Sequence, residues 1–463
     1  LVYLLLLIPF GLIGQNNRAS ILTFEDFLAR VEAHHPLSIQ ANLKIDEGKA
    51  ILKKARGRFD PKIYSDVSQK YFTGKQYYNI SNSGLKIPTW YGIEFSGGYA
   101  QNDGAFLNPE NNTPGSGLWH AGVSMSVGQG LFIDKRRAEL KKAKIFTKST
   151  IVGRKLIYND LLYDAGQAYW SWFESYNSVL IYESALELTQ QRYQSVKQGA
   201  LYGDKPSIDT VEASIQVQNR MISLQEGELK YKNASALLSV YMWLEGIIPL
   251  EIAPETRPNF SNEIDPISAD SELMLNLDSI SATHPLLRSY QYKIEQLEID
   301  EKWKKEQIKP KLNLKYNAIN QPIENNALDG YNLNNYTWGV EFSMPIFLRK
   351  ERGSLQLAKL KINEAELDLL DKKADITYKA KAAINDLLNT KSQLTIYERT
   401  VKDYAQLLDG ERKMFNAGES SLFMVNSRES GFIKTQLKYI QLLAKNHKAG
   451  LTANYALGIL SPK

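Results

Sequence analysis

Two long stretches without proline constrain this chain more than any other feature. They cover residues 134–199 and 349–418, and apolar residues recur through both at the spacing of an α-helix. A periodic pattern of that length is typical of a coiled-coil-like helix rather than of an ordinary globular one. About 66 residues at a rise of about 1.5 Å each give a rod of about 100 Å. Helices of this length must run outside any compact domain.

The composition excludes several classes of protein. The mean hydropathy of −0.35 argues against a helical membrane protein. The 56 basic and 51 acidic residues give a net charge of +5 without forming a basic block, so nucleic acid is not expected as a partner. Cysteine is absent from the 463 residues. Its absence excludes disulfides, thiolate metal sites, a cysteine nucleophile and a lipid-anchored N-terminus.

The first residues form an apolar run that ends at Gly14 and is followed by polar residues. A helix needs about 20 apolar residues to span a bilayer, and this run is shorter. It fits the apolar core of a secretory signal with cleavage near Gly14, so we assign residues 1–14 to a signal peptide. The alternative is a buried N-terminal helix.

The chain repeats itself. His35-Pro36-Leu37 recurs at an offset of 249 as His284-Pro285-Leu286, and Pro61-Lys62-Ile63 recurs at the same offset as Pro310-Lys311-Leu312. A second offset, of 215, relates four residues around the start of each long helix: Phe132, Arg137, Leu140 and Ala143 recur as Phe347, Arg352, Leu355 and Ala358. Two halves with one plan are the economical interpretation. We place the first structural repeat at 15–246, a proline-bearing connector at 247–270 and the second repeat at 271–463.

Each half predicts a helix, strands, a long helix, a tight turn and a returning helix. In the first half these are a helix over 23–58, strands within 62–132 (at 62–72, 91–100 and 118–131), a long helix over 134–199 and a returning helix over 207–245. In the second half a first helix is followed by strands within 311–347, a long helix over 349–417 and a returning helix over 420–458. The strand region of the first half is about twice as long as its counterpart, which predicts an extra hairpin or a long surface loop.

In the strands, apolar residues alternate with small or polar ones. The apolar residues occupy corresponding alternate positions in the two halves. Strands of about ten residues with terminal aromatics and one apolar face are typical of a transmembrane β-barrel. A soluble sheet with one buried face shows the same alternation, and remains the alternative. On the barrel interpretation the lipid-facing residues are Val123, Met125, Val127, Trp338, Val340 and Phe342.

Closure of such a barrel needs more than one chain. Two hairpins, or about four strands, cannot close a ring, and open edges in lipid leave unpaired backbone groups. We therefore expect several copies to share one barrel, and three copies would give about twelve strands.

The sequence offers no catalytic site. The five histidines, at positions 34, 35, 120, 284 and 447, form no pair at metal-ligand spacing with carboxylates. No glycine-rich phosphate loop and no nucleophile elbow occurs. We therefore expect a protein that is not an enzyme and uses no metal or cofactor, with His35 and His284 in a turn role.

The order and duplication of these elements resemble the TolC family of outer-membrane efflux proteins, over about residues 22–460. The turn regions match most closely, through Arg192-Tyr193 and Ser207-Ile208-Asp209 in the first half and Phe415-Asn416-Ala417-Gly418 in the second. The resemblance implies a mainly α fold with β-strands: long antiparallel coiled-coil helices form a helical barrel, and several protomers contribute a transmembrane β-barrel. It implies a homotrimer in the outer-membrane lipid that extends into the periplasm.

The resemblance also implies a function. Such a channel is the exit duct of a tripartite efflux or type I secretion system, with a periplasmic adaptor (membrane fusion) protein and an inner-membrane pump as partners. An aperture and adaptor-docking region would lie at the helical turns, at Gly199, Gly203, Ser207, Asp209, Glu212, Gly418, Ser420, Leu422, Met424 and Ser427. The alternative is a soluble periplasmic coiled-coil adaptor or scaffold. An adaptor would have one helical hairpin flanked by β-domains, whereas this chain has two hairpins and interleaved strands.

Two expectations concern the turns in detail. Relatives carry acidic residues at the second turn, where this chain has Met424 and Ser427, while Asp209 and Glu212 remain beside the first turn. Gly199 and Gly418 fit left-handed helix C-caps. Asp209 either caps the returning helix or binds a basic residue across closed tips, which would make it part of a gate.

Overall fold

The computed structural model describes residues 21–259, 280, 283–321 and 332–460. The signal peptide assigned to residues 1–14, the connector from residue 260 onward and the start of the second repeat at 271–279 lie outside the described residues. Two compact units divide the chain. The first comprises 1–40, 157–279 and 377–463, and the second comprises 41–156 and 280–376.

Seven α-helices are described, and two of them account for the proline-free stretches. Their bounds are α1 Phe24–His34, α2 Pro36–Arg56, α3 Lys135–Leu201, α4 Ser207–Ser239, α5 Pro285–Glu306, α6 Arg349–Asn416 and α7 Leu422–Leu457. Helices α3 and α6 run without interruption for 67 and 68 residues. Among the described helices, none is both long enough and apolar enough to cross a membrane.

The repeated His-Pro-Leu motif starts a helix in both halves. The residue before a proline is held in an extended conformation, and proline suits the first helical position because it lacks an N–H. Nδ1 of His35 accepts a hydrogen bond from the backbone N–H of Leu37 at 3.2 Å, and Nδ1 of His284 accepts one from Leu286 at 3.1 Å. The motif therefore divides the predicted helix over 23–58 into α1 and α2, and its two copies have the same cap geometry.

Ten strands are described, of which six form one antiparallel sheet. The two-residue strands are β1 Ile21–Leu22, β6 Trp243–Leu244, β7 Ile248–Pro249 and β8 Arg257–Pro258. The sheet strands are β2 Lys62–Phe72, β3 Lys75–Pro88, β4 Ile93–Asp103, β5 Leu118–Ser126, β9 Lys311–Asn320 and β10 Tyr336–Ser343. Their order in the sheet is β10-β9-β5-β4-β3-β2. The long strand region of the first half thus adds strands to the sheet, and the described sheet has six strands rather than the expected four.

The first unit is built from antiparallel helix pairs. Helix α3 packs against α4, with the rings of Tyr176 and Tyr231 at 5.7 Å. Helix α6 packs against α7, where Nδ2 of Asn446 donates to Thr390 Oγ1 at 3.1 Å. An apolar core joins α1 to these helices through fully buried side chains that include Phe27 and Trp172. Helix α4 ends at Ser239 rather than near residue 245, because residues 243–244 pair with 248–249 in a short hairpin.

The second unit contains the sheet together with α2, α5 and the sheet-side parts of the long helices. Helix α2 lies close to α3, where the hydroxyl of Thr147 donates to the backbone oxygen of Gly48 at 3.1 Å. A side chain at Gly48 would collide with Thr150, so the glycine permits this approach. Helix α5 contacts α3 through the Lys142–Asp300 ion pair at 3.5 Å and through Ile299, which packs on Ala138.

The turns between the long and returning helices each contain one glycine with a left-handed backbone. These are Gly203, with φ of +83°, and Gly418, with φ of +79°. The expectation for Gly418 is confirmed. The expectation for Gly199 is wrong, because α3 continues past it to Leu201 and the reversal falls at Gly203. The backbone oxygen of Gly199 accepts from Asp204 at 2.9 Å, so Gly199 closes the turn from inside the helix.

This difference gives a paired prediction. Gly418→Ala should destabilise the turn by about 1–2 kcal/mol, because a side chain is strained in the left-handed region. The position has open space around it, so the backbone alone causes the cost. Gly199→Ala should instead stabilise α3 by about 0.5–1 kcal/mol, because alanine is the better helix former. An added Cβ there would meet only the flexible side chain of Lys205 at 3.3 Å.

The measurement is the midpoint of thermal unfolding of each variant in detergent, followed by circular dichroism. We expect a lower midpoint for Gly418→Ala and an equal or higher one for Gly199→Ala. Equal destabilisation by both changes would contradict the assignment of the two glycines.

Candidate functional sites in the sheet and at the helical turns

One face of the six-stranded sheet carries apolar residues on every strand, interrupted on β2 and β3 by polar residues such as Ser65 and Ser83. Residues opposite each other in neighbouring strands share a face, so the pairing of Trp338 with Tyr316, Tyr316 with Val123, and Val123 with Phe95 places all four on one side. The same side carries an aromatic contact between Tyr99 and Trp119, at 5.1 Å. Further apolar members of this face are Ile63, Val67, Leu85, Ile87, Ile93, Met125, Leu312, Leu314, Val340 and Phe342. The apolar face is exposed in the single chain, and Trp338 keeps 69% of its surface.

The opposite face is polar and internally hydrogen-bonded. Ser126 donates to the side-chain oxygen of Asn313 at 2.7 Å, and the side-chain amide of Asn317 donates to Thr337 at 3.0 Å. Gly122 lies on this face, and a side chain there would collide with Asn317. Small residues thus leave room for polar neighbours on this side of the sheet.

The structure brings the sequence-predicted strand residues together with one exception. Val123, Met125, Trp338, Val340 and Phe342 lie on the apolar face. Val127 lies one residue beyond β5, although its backbone N–H still donates to Leu312 at 2.8 Å.

Sequence reasoning missed the contribution of β3. Its first part is a run of Asn, Ser and Tyr without clear alternation, and only Leu85 and Ile87 near its end show the period of a strand. The pairing of β3 with β4 over ten residue pairs places it firmly in the sheet.

The helical turns bring several predicted residues together. Leu422, the first residue of α7, is buried against Val196 and Ala213. Glu212 accepts a hydrogen bond from the side-chain amide of Asn426 at 2.9 Å, which joins α4 to α7. The positions named for the aperture therefore belong to neighbouring helix ends.

The other predicted turn residues lie at the surface or in turns. Ser207, Gly203 and Ser427 are exposed, while Asp209 and Met424 are half-buried. The hydroxyl of Ser420 donates to the carboxylate of Glu411.

Asp209 is not the N-cap of the returning helix. That position is taken by Pro206, which makes no side-chain hydrogen bond. Asp209 lies in the first turn of α4, where a negative charge interacts favourably with the helix dipole.

A buried charge network lies about two to four helical turns from the chain reversals at Gly203 and Gly418. Glu429 on α7 is 3% exposed and forms an ion pair with Arg192 on α3. Thr189 donates to the same carboxylate at 3.1 Å, and Arg412 on α6 approaches it at 3.6 Å. Arg192 also donates to the side-chain oxygen of Asn426 at 2.7 Å. The network therefore links three helices and, through Asn426 and Glu212, reaches the fourth.

The electrostatics of Arg192 reflect this crowding. Burial, together with the nearby charges of Arg412 and Arg220, lowers the pKa of Arg192 to about 10. Arg192 remains cationic at neutral pH, so Glu429 faces two guanidinium groups. Sequence reasoning singled out Arg192 and Glu212 by their place near the turn, but nothing in the sequence marked Glu429 as buried.

Among the described residues, no group of three His, Cys, Asp or Glu side chains is arranged to hold a metal ion. The described residues instead form a sheet with one apolar and one polar face, and a set of helix ends joined by buried charges.

Comparison with known proteins gives a family match over part of the chain and a shared fold over nearly all of it. Residues 276–456 match the family described as outer membrane efflux protein. No curated protein matches the chain significantly in sequence.

Solved structures match nearly the whole chain. The CmeC outer membrane channel of Campylobacter jejuni has 13% identity and a TM-score of 0.66, with 95% of this chain and 86% of that chain covered. The open state of the MtrE outer membrane channel of Neisseria gonorrhoeae has 12% identity and a TM-score of 0.67, with coverage of 95% and 89%. The outer membrane protein VceC of Vibrio cholerae has 12% identity and a TM-score of 0.63, with coverage of 94% and 96%.

These matches agree with the mainly α architecture with strands predicted from the sequence, and that prediction is confirmed. The family is described as an outer membrane efflux protein and the neighbours as outer membrane channels, in agreement with the expectation of a protein that is not an enzyme. The chain has the fold of these outer membrane channels and matches the outer membrane efflux protein family over residues 276–456, which confirms its resemblance to the TolC family.

Proposed function

We propose that this chain is one protomer of a homotrimeric outer-membrane channel that serves as the exit duct of a tripartite efflux or secretion system. The observation that carries the proposal is the six-stranded sheet, which is apolar on one face, polar on the other and unpaired at both edges within the described residues. A polar lumen and an apolar outer band are what a transmembrane barrel requires.

The sheet edges support more than one copy, and the family resemblance supports three. Lipid offers no hydrogen-bond partners, so each unpaired backbone group at an edge costs several kcal/mol. Six strands are fewer than the eight of the smallest bacterial outer-membrane barrels, so further copies must close the ring. The resemblance to the TolC family favours three copies, with the helices extending into the periplasm.

The turns are proposed as the periplasmic end of the duct. There an adaptor protein would dock and an inner-membrane pump would deliver substrate. Gly203 and Gly418 set the two reversals, and Asp209 lies beside the first with a half-buried carboxylate. The Arg192–Glu429 network holds the helix ends together and is placed where a gate would be most effective.

Purification and conductance test the proposal. The mature protein, extracted from outer membranes in detergent, should have the mass of a trimer by native mass spectrometry and form discrete channels in planar bilayers. A soluble periplasmic protein without channel activity would favour the adaptor alternative. A folded, membrane-embedded monomer would contradict the conclusion that several copies are needed to pair the sheet edges.

The two faces of the sheet predict different responses to an added charge. Val340→Arg places a charge on the apolar face and should impair insertion by about 2–4 kcal/mol per copy if it lies near the membrane midplane. Ser343→Arg, on the polar face, should assemble and reduce the single-channel conductance. The readouts are the amount of trimer in the outer membrane and the conductance of what is recovered. Identical behaviour of the two variants would show that the faces are assigned wrongly.

The buried network predicts a gate. Glu429→Gln leaves Arg192 and Arg412 without a countercharge and should weaken the packing of the helix ends by roughly 3 kcal/mol. The trimer should persist, with more frequent opening or a higher conductance in planar bilayers. Glu398→Gln is the matched control, because Glu398 forms an exposed ion pair with Lys402 on α6 at 3.1 Å. Conductance of Glu429→Gln equal to that of the control, in a stable trimer, would rule out a gating role for the network.

A further inference from the structure

The two edge strands of the sheet determine how one copy of the chain can pair with the next. In the described part of the chain, β10 pairs with β9 and β2 pairs with β3, and each has a second side without a partner. All neighbours in the sheet are antiparallel, and the number of strands is even. The two edge strands therefore run in opposite directions. A second copy related by simple rotation brings its β2 antiparallel to β10, so a head-to-tail ring has no mismatched junction.

The duplication provides an internal counterpart of this junction. Strand β5 leads into α3 as β10 leads into α6, at the offset of 215. Strand β9 follows Pro310 as β2 follows Pro61, at the offset of 249. Within the chain β5 pairs with β9, with Val123 opposite Tyr316 and Gly122 opposite Asn317. The β5–β9 pair is thus the equivalent of a β10–β2 pair between copies.

We propose that β10 of one copy pairs with β2 of the next in the register of β5 and β9. This inference rests on the proposed trimeric channel. Applying the two offsets to the observed pairs places Trp338 opposite Val67, Thr337 opposite Ser68, Gly339 opposite Asp66 and Glu341 opposite Tyr64. Continued by one residue, the same register places Phe342 opposite Ile63.

The register brings the apolar face of β10 to the face of β2 that carries Ile63 and Val67, with Val340 opposite Ser65 and Tyr336 opposite Gln69. Trp338 and Phe342 meet Val67 and Ile63, which puts aromatic residues opposite β-branched ones on the apolar face. Ile63 is 87% exposed in the single chain, more than its neighbours in β2 within the apolar face. A shift of one residue would bring the apolar face of β10 to the polar face of β2, which carries Lys62, Asp66 and Lys70. The alternation of the two faces thus excludes registers shifted by an odd number of residues. The duplication selects one register among those shifted by an even number.

The same register fits the connections at the periplasmic ends of the strands. Beyond β5, the N–H groups of Val127 and Gln129 donate to the oxygens of Leu312 and Pro310, at 2.8 and 2.7 Å. The two offsets predict matching bonds from Phe342 and Met344 of one copy to Ile63 and Pro61 of the next copy. The junction would then continue past the strands toward the helices, as β5 and β9 do.

This junction between copies changes the size of the barrel. Strands β2 and β3 belong to the sheet and β2 is its edge, so each copy contributes six strands. Three copies close a ring of eighteen strands instead of the twelve expected from the sequence. Barrel diameter grows roughly with strand number, so the lumen in the membrane is wider than a twelve-stranded barrel would provide.

Cysteine cross-linking tests the register directly, because the chain has no cysteine of its own. Thr337 and Ser68 are small and on the polar face, so replacing both leaves the apolar face unchanged. Directly opposite residues have Cα atoms about 4.5–5.5 Å apart, which suits a disulfide. Thr337→Cys with Asp66→Cys is the matched control, on the same face but displaced by two residues, at about 7–8 Å. Each single-cysteine variant is a second control.

After mild oxidation, the T337C/S68C protein should run as covalent dimers and trimers on non-reducing gels, about tenfold more than the displaced control. Single variants should stay monomeric, and reductant should reverse the links. Preferential linking of the displaced pair, or no link in either pair, would overturn the register if native mass spectrometry still gives a trimer. An intrachain link at monomer mass would mean that the sheet closes on itself, and would also overturn it. Loss of the trimer in the unmodified protein would instead count against the proposed function.

Discussion

Backbone hydrogen bonding at the sheet edges is the constraint on which the rest of this structure depends. Four interior strands satisfy their peptide groups on both sides, whereas β2 and β10 do so on one. In water an open edge is tolerated, but in a bilayer the unpaired groups have nothing to bind. On the proposed function, association is then part of folding rather than a later step. The exposure of every residue of β10 in the single chain fits this interpretation.

The long helices solve a related problem by a different route. A helix satisfies its own backbone, so α3 and α6 can extend for 67 and 68 residues without neighbours that complete their hydrogen bonds. Their polar side chains are partly satisfied within the helix as well, since Ser171, Ser178 and Thr189 each donate to the backbone oxygen four residues earlier. Such helices can present polar groups to a lumen or to a partner helix at little cost, and side-chain contacts between helices decide which neighbours they take.

Sequence reasoning recovered most of the fold because long periodic signals dominate it. The proline-free stretches gave both long helices, and the repeated His-Pro-Leu gave the duplication. The misses are local. Gly199 and Gly203 are both near the end of α3, and only the backbone conformation distinguishes the helical glycine from the one that reverses the chain. Strand β3 was missed because its side chains lack alternation and its place depends on pairing with β4. Long-range pairing of this kind is not encoded in a local pattern.

The sheet and the helix ends are stabilised by different interactions, and this difference agrees with their proposed roles. The strands of the sheet are joined by many backbone hydrogen bonds in fixed register. Strand pairing between copies is therefore cooperative and insensitive to small perturbations. The helix ends are held by few side chains, with the carboxylate of Glu429 shared between Arg192 and Arg412. A buried ion pair contributes little net stability when intact but is costly to break, because an uncompensated charge remains. A partner that supplies a competing charge removes that cost. On the proposed function, the charge network is therefore a better place for a gate than the sheet.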